Sequence, residues 1–410
     1  LVAGGESEEA AVVPGQPAKS YLMDQLAVQG DKAAMPKGKP PLAAEQIALI
    51  GRWIAEGAKD DTPPSARRKY DMDHPPAYNL PPVITSLDFS PDGALLAISG
   101  YHEVLLHDMH DPAKASTGSL VARLVGLSER IEAIAFSPDG AQLAVAGGSP
   151  GRMGEVQIWD VAKRRLTLSA PVTYDTVYGA AWSPDMKMLT FGCADNTLRG
   201  VDTTSGAQVL FMGSHSDWVR DTIVTADGAN VVSVGRDMTV KMTEVATQRF
   251  LGNVTTHTPG VLRGGMTAVD RRPDRPEVVV GCADGRPKLF KMEVNAAPAG
   301  GGNPNQIREY PEMPGRVFDV RFLPDGKRFV AGSSLDGQGY IWVYETDSGK
   351  KLLELPGERG GVFAVAVSPD GKVIASGGFD GQVQLANAET GELISAFVPI
   401  EINSAAAAAN

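Results

Sequence analysis

The residues best suited to chemistry in this 410-residue chain are few and scattered. Two cysteines, Cys193 and Cys282, each stand in Gly-Cys-Ala-Asp. Two thiols are too few for a disulfide framework, a cysteine-based zinc site or an iron–sulfur cluster. Of the histidines, His102, His107 and His110 are close in sequence, but at strand spacing their side chains need not converge, and no metal site is expected there. Met35, followed by Pro36, carries a thioether that ordinarily fills a gap in a core. Arg271, Arg272 and Arg275 form a basic turn, and Arg67-Arg68-Lys69 a second cluster; both read as solvated surface. Gly300-Gly301-Gly302 lies between Pro298 and Pro304 rather than before a helix, which reads as a flexible loop and not a phosphate cradle. With no Ser/His/Asp triad, Cys/His pair or Walker sequence, an enzyme is not expected.

Composition narrows what could hold these residues in place. Hydrophobic residues make up 43% and charged ones 21%, the balance of a chain that buries a core. The net charge of −11 argues against a binder of phosphate backbones, which needs clustered Lys and Arg. No run approaches the ~18 apolar residues of a membrane-spanning helix. With 46 glycines and only 6% aromatics, the chain favours short strands and tight turns. It begins with Leu1 rather than Met, so a processed or truncated product is expected, with any signal peptide outside the residues given.

One tetrapeptide recurs seven times at intervals of 42 to 51 residues. It appears as Ser90-Pro91-Asp92-Gly93, Ser137-Pro138-Asp139-Gly140, Ser183-Pro184-Asp185-Met186 and Thr225-Ala226-Asp227-Gly228. It continues as Arg272-Pro273-Asp274-Arg275, Leu323-Pro324-Asp325-Gly326 and Ser368-Pro369-Asp370-Gly371. Proline presets φ, Asp caps the turn and Gly accepts the positive φ that closes a hairpin. An alternating strand precedes each copy, a small apolar strand follows, and two more strands complete the period. Four antiparallel strands per ~46 residues make one blade of a β-propeller.

These repeats resemble the WD40 family. Trp159-Asp160 is the clearest signature, and Trp342 is placed at the corresponding point of the sixth blade. Asp195, Asp237, Asp284, Asp336 and Asp380 recur in the turn before the third strand. In WD40 blades that Asp organises a network with a His from the entering loop, a place filled here only by His215 and His257. The resemblance covers residues 83–400 and implies a mainly β fold, a seven-bladed propeller, with Cys193 and Cys282 at one position of blades three and five. Inner-strand positions read as small and apolar. The blades run contiguously from Val83 to Val398, with an alternative register that pairs part of 76–82 onto the last blade.

Residues 1–58 lack the repeat and read as two helices, Ala18 to Gln29 and Ala43 to Ala58. The second has an apolar stripe of Ile47, Ile50 and Ile54 beside Leu49 and Trp53. Two such helices bury too little surface to stand alone. The order Gly4-Gly5, then Pro14-Gly15-Gln16-Pro17 through Ser20-Tyr21-Leu22, Met35-Pro36, Pro41-Leu42 and Trp53-Ile54 resembles the C-terminal half of a planctomycete-type c-type cytochrome domain. That resemblance implies haem c, with Met35 as distal axial ligand, Pro36 stiffening its loop, and Leu49 and Trp53 packing near the porphyrin or a neighbouring helix. The Cys-x-x-Cys-His stretch that attaches haem in that family does not occur in these residues. Residues 59–82, with six prolines, read as a linker, and 401–410 as a low-complexity tail.

Two functions follow as expectations. One is a periplasmic or secreted cytochrome/WD40 fusion that transfers electrons and docks to redox partners. The other is a non-enzymatic WD40 scaffold within a larger complex, without haem in this chain. Both expect protein partners and no nucleic acid.

Overall fold

A computed structural model describes residues 10–28, 30, 32–35, 40–59, 70–255, 265–295, 303–356 and 360–403. The chain divides into two compact units, Leu1–Lys69 and Tyr70–Asn410.

The larger unit holds seven four-stranded antiparallel sheets, each a meander in chain order. The blades span Leu87–Val125, Arg130–Thr173, Val177–Met212, Val219–Asn253, Met266–Glu309, Arg316–Glu354 and Val362–Phe397. Second strands such as Met188–Cys193 and Val373–Gly378 are buried throughout, and they read as unbroken small apolar runs because neighbouring blades cover both faces. Outer strands such as Arg165–Thr173 alternate with exposed positions.

The recurring tetrapeptide makes the turn that its residues demand. Ser90, Ser137, Ser183, Thr225 and Ser368 each donate a hydroxyl hydrogen bond, 2.5–2.7 Å long, to the Asp two residues on. The same hydroxyls accept the backbone N–H that opens the second strand. In blade five the hydroxyl is replaced by Arg272, and the expectation of a solvated basic turn fails there. Arg272 is 1% exposed and bonds Asp274 at 2.9 Å, Glu277 at 2.7 Å and Asp347 at 2.7 Å. A guanidinium with five donors can be buried only when carboxylates surround it.

Strand register corrects one assignment. Trp159 pairs with Leu143, the second residue of its neighbouring strand, and the same place in blade six belongs to Tyr344, paired with Phe329. Trp342 lies opposite Ala331, two residues short of that position.

Ring closure keeps the contiguous register. Blade one begins at Leu87 and blade seven ends at Phe397, and the ends are joined outside the sheets. Ile84 N–H donates to Gly378 O at 2.9 Å, and Tyr78 forms a parallel bridge with Ile402. Tyr78 is buried, its hydroxyl donating to Glu103 at 2.8 Å. Residues 70–82 are thus packed into the propeller unit rather than acting as a linker, because burying Tyr78 offsets the cost of ordering this proline-rich stretch. Of the expected tail, 401–403 takes part in this closure, and 404–410 lies outside the described residues.

In the smaller unit the helices are Tyr21–Leu26 (α1) and Ala44–Ala55 (α2), the first about half its expected length. Its start follows a turn at Pro17–Lys19, and Ala27 is already extended, with φ −62° and ψ 126°. The core is small: Val12, Leu26 and Ile54 are buried, and Gly15 N–H caps Ile54 O at 2.8 Å. Among the described residues no helix is long and apolar enough to cross a membrane.

Candidate functional site

The seven inner strands surround a central cavity of about 450 Å³. Its wall corrects the expectation of small, apolar inner positions. Asp88, Glu132, Asp221, Asp270 and Asp319 line it together with Arg220 and Arg321. Strand alternation explains the placement: in Leu87-Asp88-Phe89 the flanking apolar side chains are buried between blades, which turns Asp88 to the channel.

Four of these carboxyls also join blades. Each Oδ2 accepts a backbone N–H from the inner strand of the next blade. Asp88 takes Phe136 at 2.7 Å, Asp221 takes Val269 at 2.9 Å, Asp270 takes Phe322 at 2.7 Å, and Asp319 takes Val365 at 3.0 Å. Gly179 makes room for one of them. It holds φ +66°, and a Cβ there would lie 2.8 Å from Asp221 Oδ1.

Burial raises all four carboxyls above their ordinary range, Asp88 to about 7 and Asp221 to about 6. Arg321 opposes that rise in each case. Its guanidinium stands 3.6 Å from Asp319, with a third of the side chain reached by solvent in the channel.

Alternation within each meander defines two faces. The Ser-Pro-Asp-Gly turns lie at one end, and the second-to-third-strand turns and the crossovers between blades lie at the other. The crossover face exposes Tyr101, Leu127, Tyr174, Leu335 and Phe379, contributed by five different turns or crossovers; Tyr174 is 89% and Phe379 66% exposed. The turn face exposes fewer such side chains among the described residues, Val294 and Leu393. At the channel mouth on the crossover face, Arg220 lies over Tyr178 at 4.3 Å, and Tyr178 stacks on Trp218. Phe318 and Phe363 face each other across blades six and seven with ring centroids 4.9 Å apart.

The repeated turn Asp residues are architectural in four places. Asp195, Asp237, Asp284 and Asp380 each accept the backbone N–H two residues on, at 3.0–3.2 Å. Asp336 differs. It holds φ +51° itself and forms a two-residue hairpin with Gly337 at φ +80°.

Blade four carries the full His–Asp pair: His215 bonds Asp237 at 3.0 Å and Ser233 at 2.8 Å. Burial would raise Asp237, but the His215 and Thr239 hydrogen bonds bring it down to about 2. His257 lies outside the described residues. Blade three answers with Arg199 paired to Asp195, and blade five with Lys288 on Asp284 at 2.7 Å.

The other singled-out residues do not gather. His107 is buried with Nε2 2.8 Å from Pro399 O, His110 is exposed on Asp108, and His102 packs against Tyr101. Cys193 and Cys282 are free, buried and equivalent, each ending a second strand, and burial pushes both thiols up to about 12.

In the smaller unit Met35 is 45% and Leu49 59% exposed, while Trp53 is half-buried and donates its indole N–H to Lys59 O at 2.9 Å. Pro36 lies outside the described residues, as do Arg67-Arg68-Lys69 and Gly300-Gly301-Gly302. Residues 1–69 contain neither Cys nor His, so they supply no thioether attachment and no proximal imidazole. As they stand, they do not fit a haem c.

Comparison with known proteins points to the propeller. Residues 163–200, 305–343 and 349–387 match the WD domain, G-beta repeat family. Each window runs from the outer strand of one blade into the third strand of the next. The chain is 25% identical over 209 residues to the WD repeat-containing protein 26 homolog of Arabidopsis thaliana, covering 50% of this chain and 32% of that protein. It is 33% identical over 142 residues to the angio-associated migratory cell protein of Canis lupus familiaris, covering 34% and 30%. It is 27% identical over 229 residues to actin-interacting protein 1 of Drosophila melanogaster, covering 53% and 34%. The matches span about a third of these relatives' lengths. The larger unit is a seven-bladed β-propeller that carries WD40 repeats.

Proposed function

We propose that this chain is a non-enzymatic scaffold that binds partner proteins through the crossover face of its propeller. The observation that carries this reading is the set of exposed Tyr101, Leu127, Tyr174, Leu335 and Phe379 on one face of a rigid ring. Apolar groups gathered on one face of a folded domain mark interaction surfaces. The name of the Drosophila relative, actin-interacting protein 1, describes a protein partner and supports the same broad class.

The test compares the full chain with Tyr174→Ser/Phe379→Ser and with Phe211→Ser, a control on an outer strand, as baits in extract of the source organism. Partners retained by the wild type and the control but lost by the double variant are expected. Loss in the control alone, or no retained partner for any bait, overturns the reading.

A second reading keeps the electron-transfer role, in a periplasmic or secreted setting. It is favoured by one observation, the half-exposed Met35 thioether, which is not spent as a core filler. Haem c would supply one-electron transfer, with Met35 as the ligand offered by residues 1–69 and the attachment cysteines and imidazole coming from outside the residues given. Oxidised and dithionite-reduced visible spectra of native protein test it: sharp reduced α and β bands support it, and a featureless spectrum overturns it.

A further inference from the structure

We propose that the central cavity receives a guanidinium side chain from the partner that docks on the crossover face. This rests on the scaffold reading and adds the chemistry of what is bound.

Charge balance comes first. Five carboxyls line the cavity and two guanidiniums answer them, Arg220 at the mouth and Arg321 within. Arg321 is the shared counter-charge for all four inner Asp groups. Burial raises those carboxyls, and Arg321 only partly opposes it. A further cation entering the cavity supplies charge that the wall lacks.

Acceptor capacity points the same way. Asp221, Asp270 and Asp319 each take two backbone N–H bonds, and a carboxylate has about four acceptor sites. The Glu132 carboxyl, beside the mouth, has no hydrogen-bonded partner among the described residues, and burial raises it against the pull of Arg220 and Arg130. A planar fork of donors suits such a wall better than a single ammonium point charge.

The aromatic collar selects the same group. Phe318 and Phe363 line one side of the cavity and Tyr178 the other. Aromatic rings at an entrance take guanidinium groups by stacking, and Tyr178 already does so with Arg220. The exposed apolar groups on the same face bring a protein surface against it, so the cation arrives on a side chain rather than as a free ion.

The probe is acetyl-Gly-Arg-Gly-amide, with the citrulline peptide as its neutral isostere, titrated into the full chain at pH 7.5. The indole N–H signal of Trp218, which stacks on Tyr178, is followed by nitrogen–proton NMR and assigned with Trp218→Phe. The arginine peptide is expected to shift that signal saturably, with the citrulline peptide at least ~10-fold weaker, as loss of one ionic contact requires. Glu132→Gln should weaken the arginine peptide severalfold. Because Glu132 bridges no blades, thermal unfolding of that variant should match the wild type. Equal binding of both peptides, or no saturable shift up to about 10 mM arginine peptide, overturns the proposal. The scaffold reading stands apart: partners lost by Tyr174→Ser/Phe379→Ser but not displaced by the arginine peptide would leave it intact and remove only the channel's role.

Discussion

Two sets of aspartates in this propeller do opposite things with the same side chain. In the turns, Asp92, Asp139, Asp185, Asp227 and Asp370 sit near solvent, accept a hydroxyl and a backbone N–H, and are held below the ordinary carboxylate range. On the inner strands, Asp88, Asp221, Asp270 and Asp319 accept backbone N–H groups as well, yet burial drives them upward. Hydrogen bonding is similar in kind, so desolvation decides the sign. A repeated Asp thus fixes local geometry wherever it sits, whereas its charge state belongs to its depth. Within the ring the inner set is uneven too. Blades two and three carry Ala135 and Ala181 where blades one and five carry Asp88 and Asp270. There the blades are joined by Trp182 N–H to Ala135 O at 3.0 Å and by the Thr190–Thr222 hydroxyl pair at 3.2 Å.

The largest expected effect comes from removing the inner set's shared counter-charge. Arg321→Met leaves four carboxyls facing one another in the channel. Breaking a fully buried pair costs ~3–5 kcal/mol, and solvent access to a third of this side chain reduces that to roughly 2–3 kcal/mol. Thermal unfolding should show a large loss at pH 7.5 that shrinks at pH 5, below the values to which burial raises Asp88 and Asp221. An equal loss at both values would mean that Arg321 acts by packing alone.

The next effect separates the architectural turn Asp of blade four from its counterparts. His215→Ala leaves Ser233 buried without its partner, takes one hydrogen bond from Asp237, and should cost about 1–3 kcal/mol. Asp284→Ala, whose Lys288 partner retains Glu309 at 3.7 Å, should cost less than His215→Ala in the same unfolding assay. The reverse order would place the blade-four pair outside the fold's main supports.

How much of this can be read beforehand depends on what each pattern encodes. The blades are legible because Ser-Pro-Asp-Gly states its own turn chemistry, and the equivalence of Cys193 and Cys282 follows from the repeat. Trp342 misleads because an aromatic residue draws attention away from the register, which is counted from the turn and lands on Tyr344. The channel is hidden because Asp88, Asp270 and Arg321 look like surface charges when read singly. For Asp88 and Arg321 the signal is alternation: a charge between two large apolar residues near a strand's end, as in Leu87-Asp88-Phe89 and Val320-Arg321-Phe322, has to face the space that the blades enclose. Tyr78 is concealed in a proline-rich stretch that reads as linker, since its partners Glu103 and Ile402 are distant in sequence.

The last expected effect is a difference in pH slope, and it sets the two Asp populations directly against each other. Asp88 titrates near 7 in the folded chain against an ordinary 3.8, so between those values the folded state keeps a proton that the unfolded chain has released. Its contribution is therefore full below about pH 4 and is lost as pH rises through 7. The turn carboxyls run the other way: their contribution is present above the ordinary value and is lost as pH falls below it. Asp88→Asn keeps an acceptor for Phe136 N–H and is neutral at every pH. Relative to the wild type, the variant should gain stability in chemical unfolding from pH 5 upward and level off above about pH 7. Asp139→Asn should instead lose its deficit only below pH 4, where wild-type Asp139 also becomes neutral. Parallel profiles for the two variants would show that depth in the channel does not set the charge state of Asp88, and the contrast between the two populations would collapse.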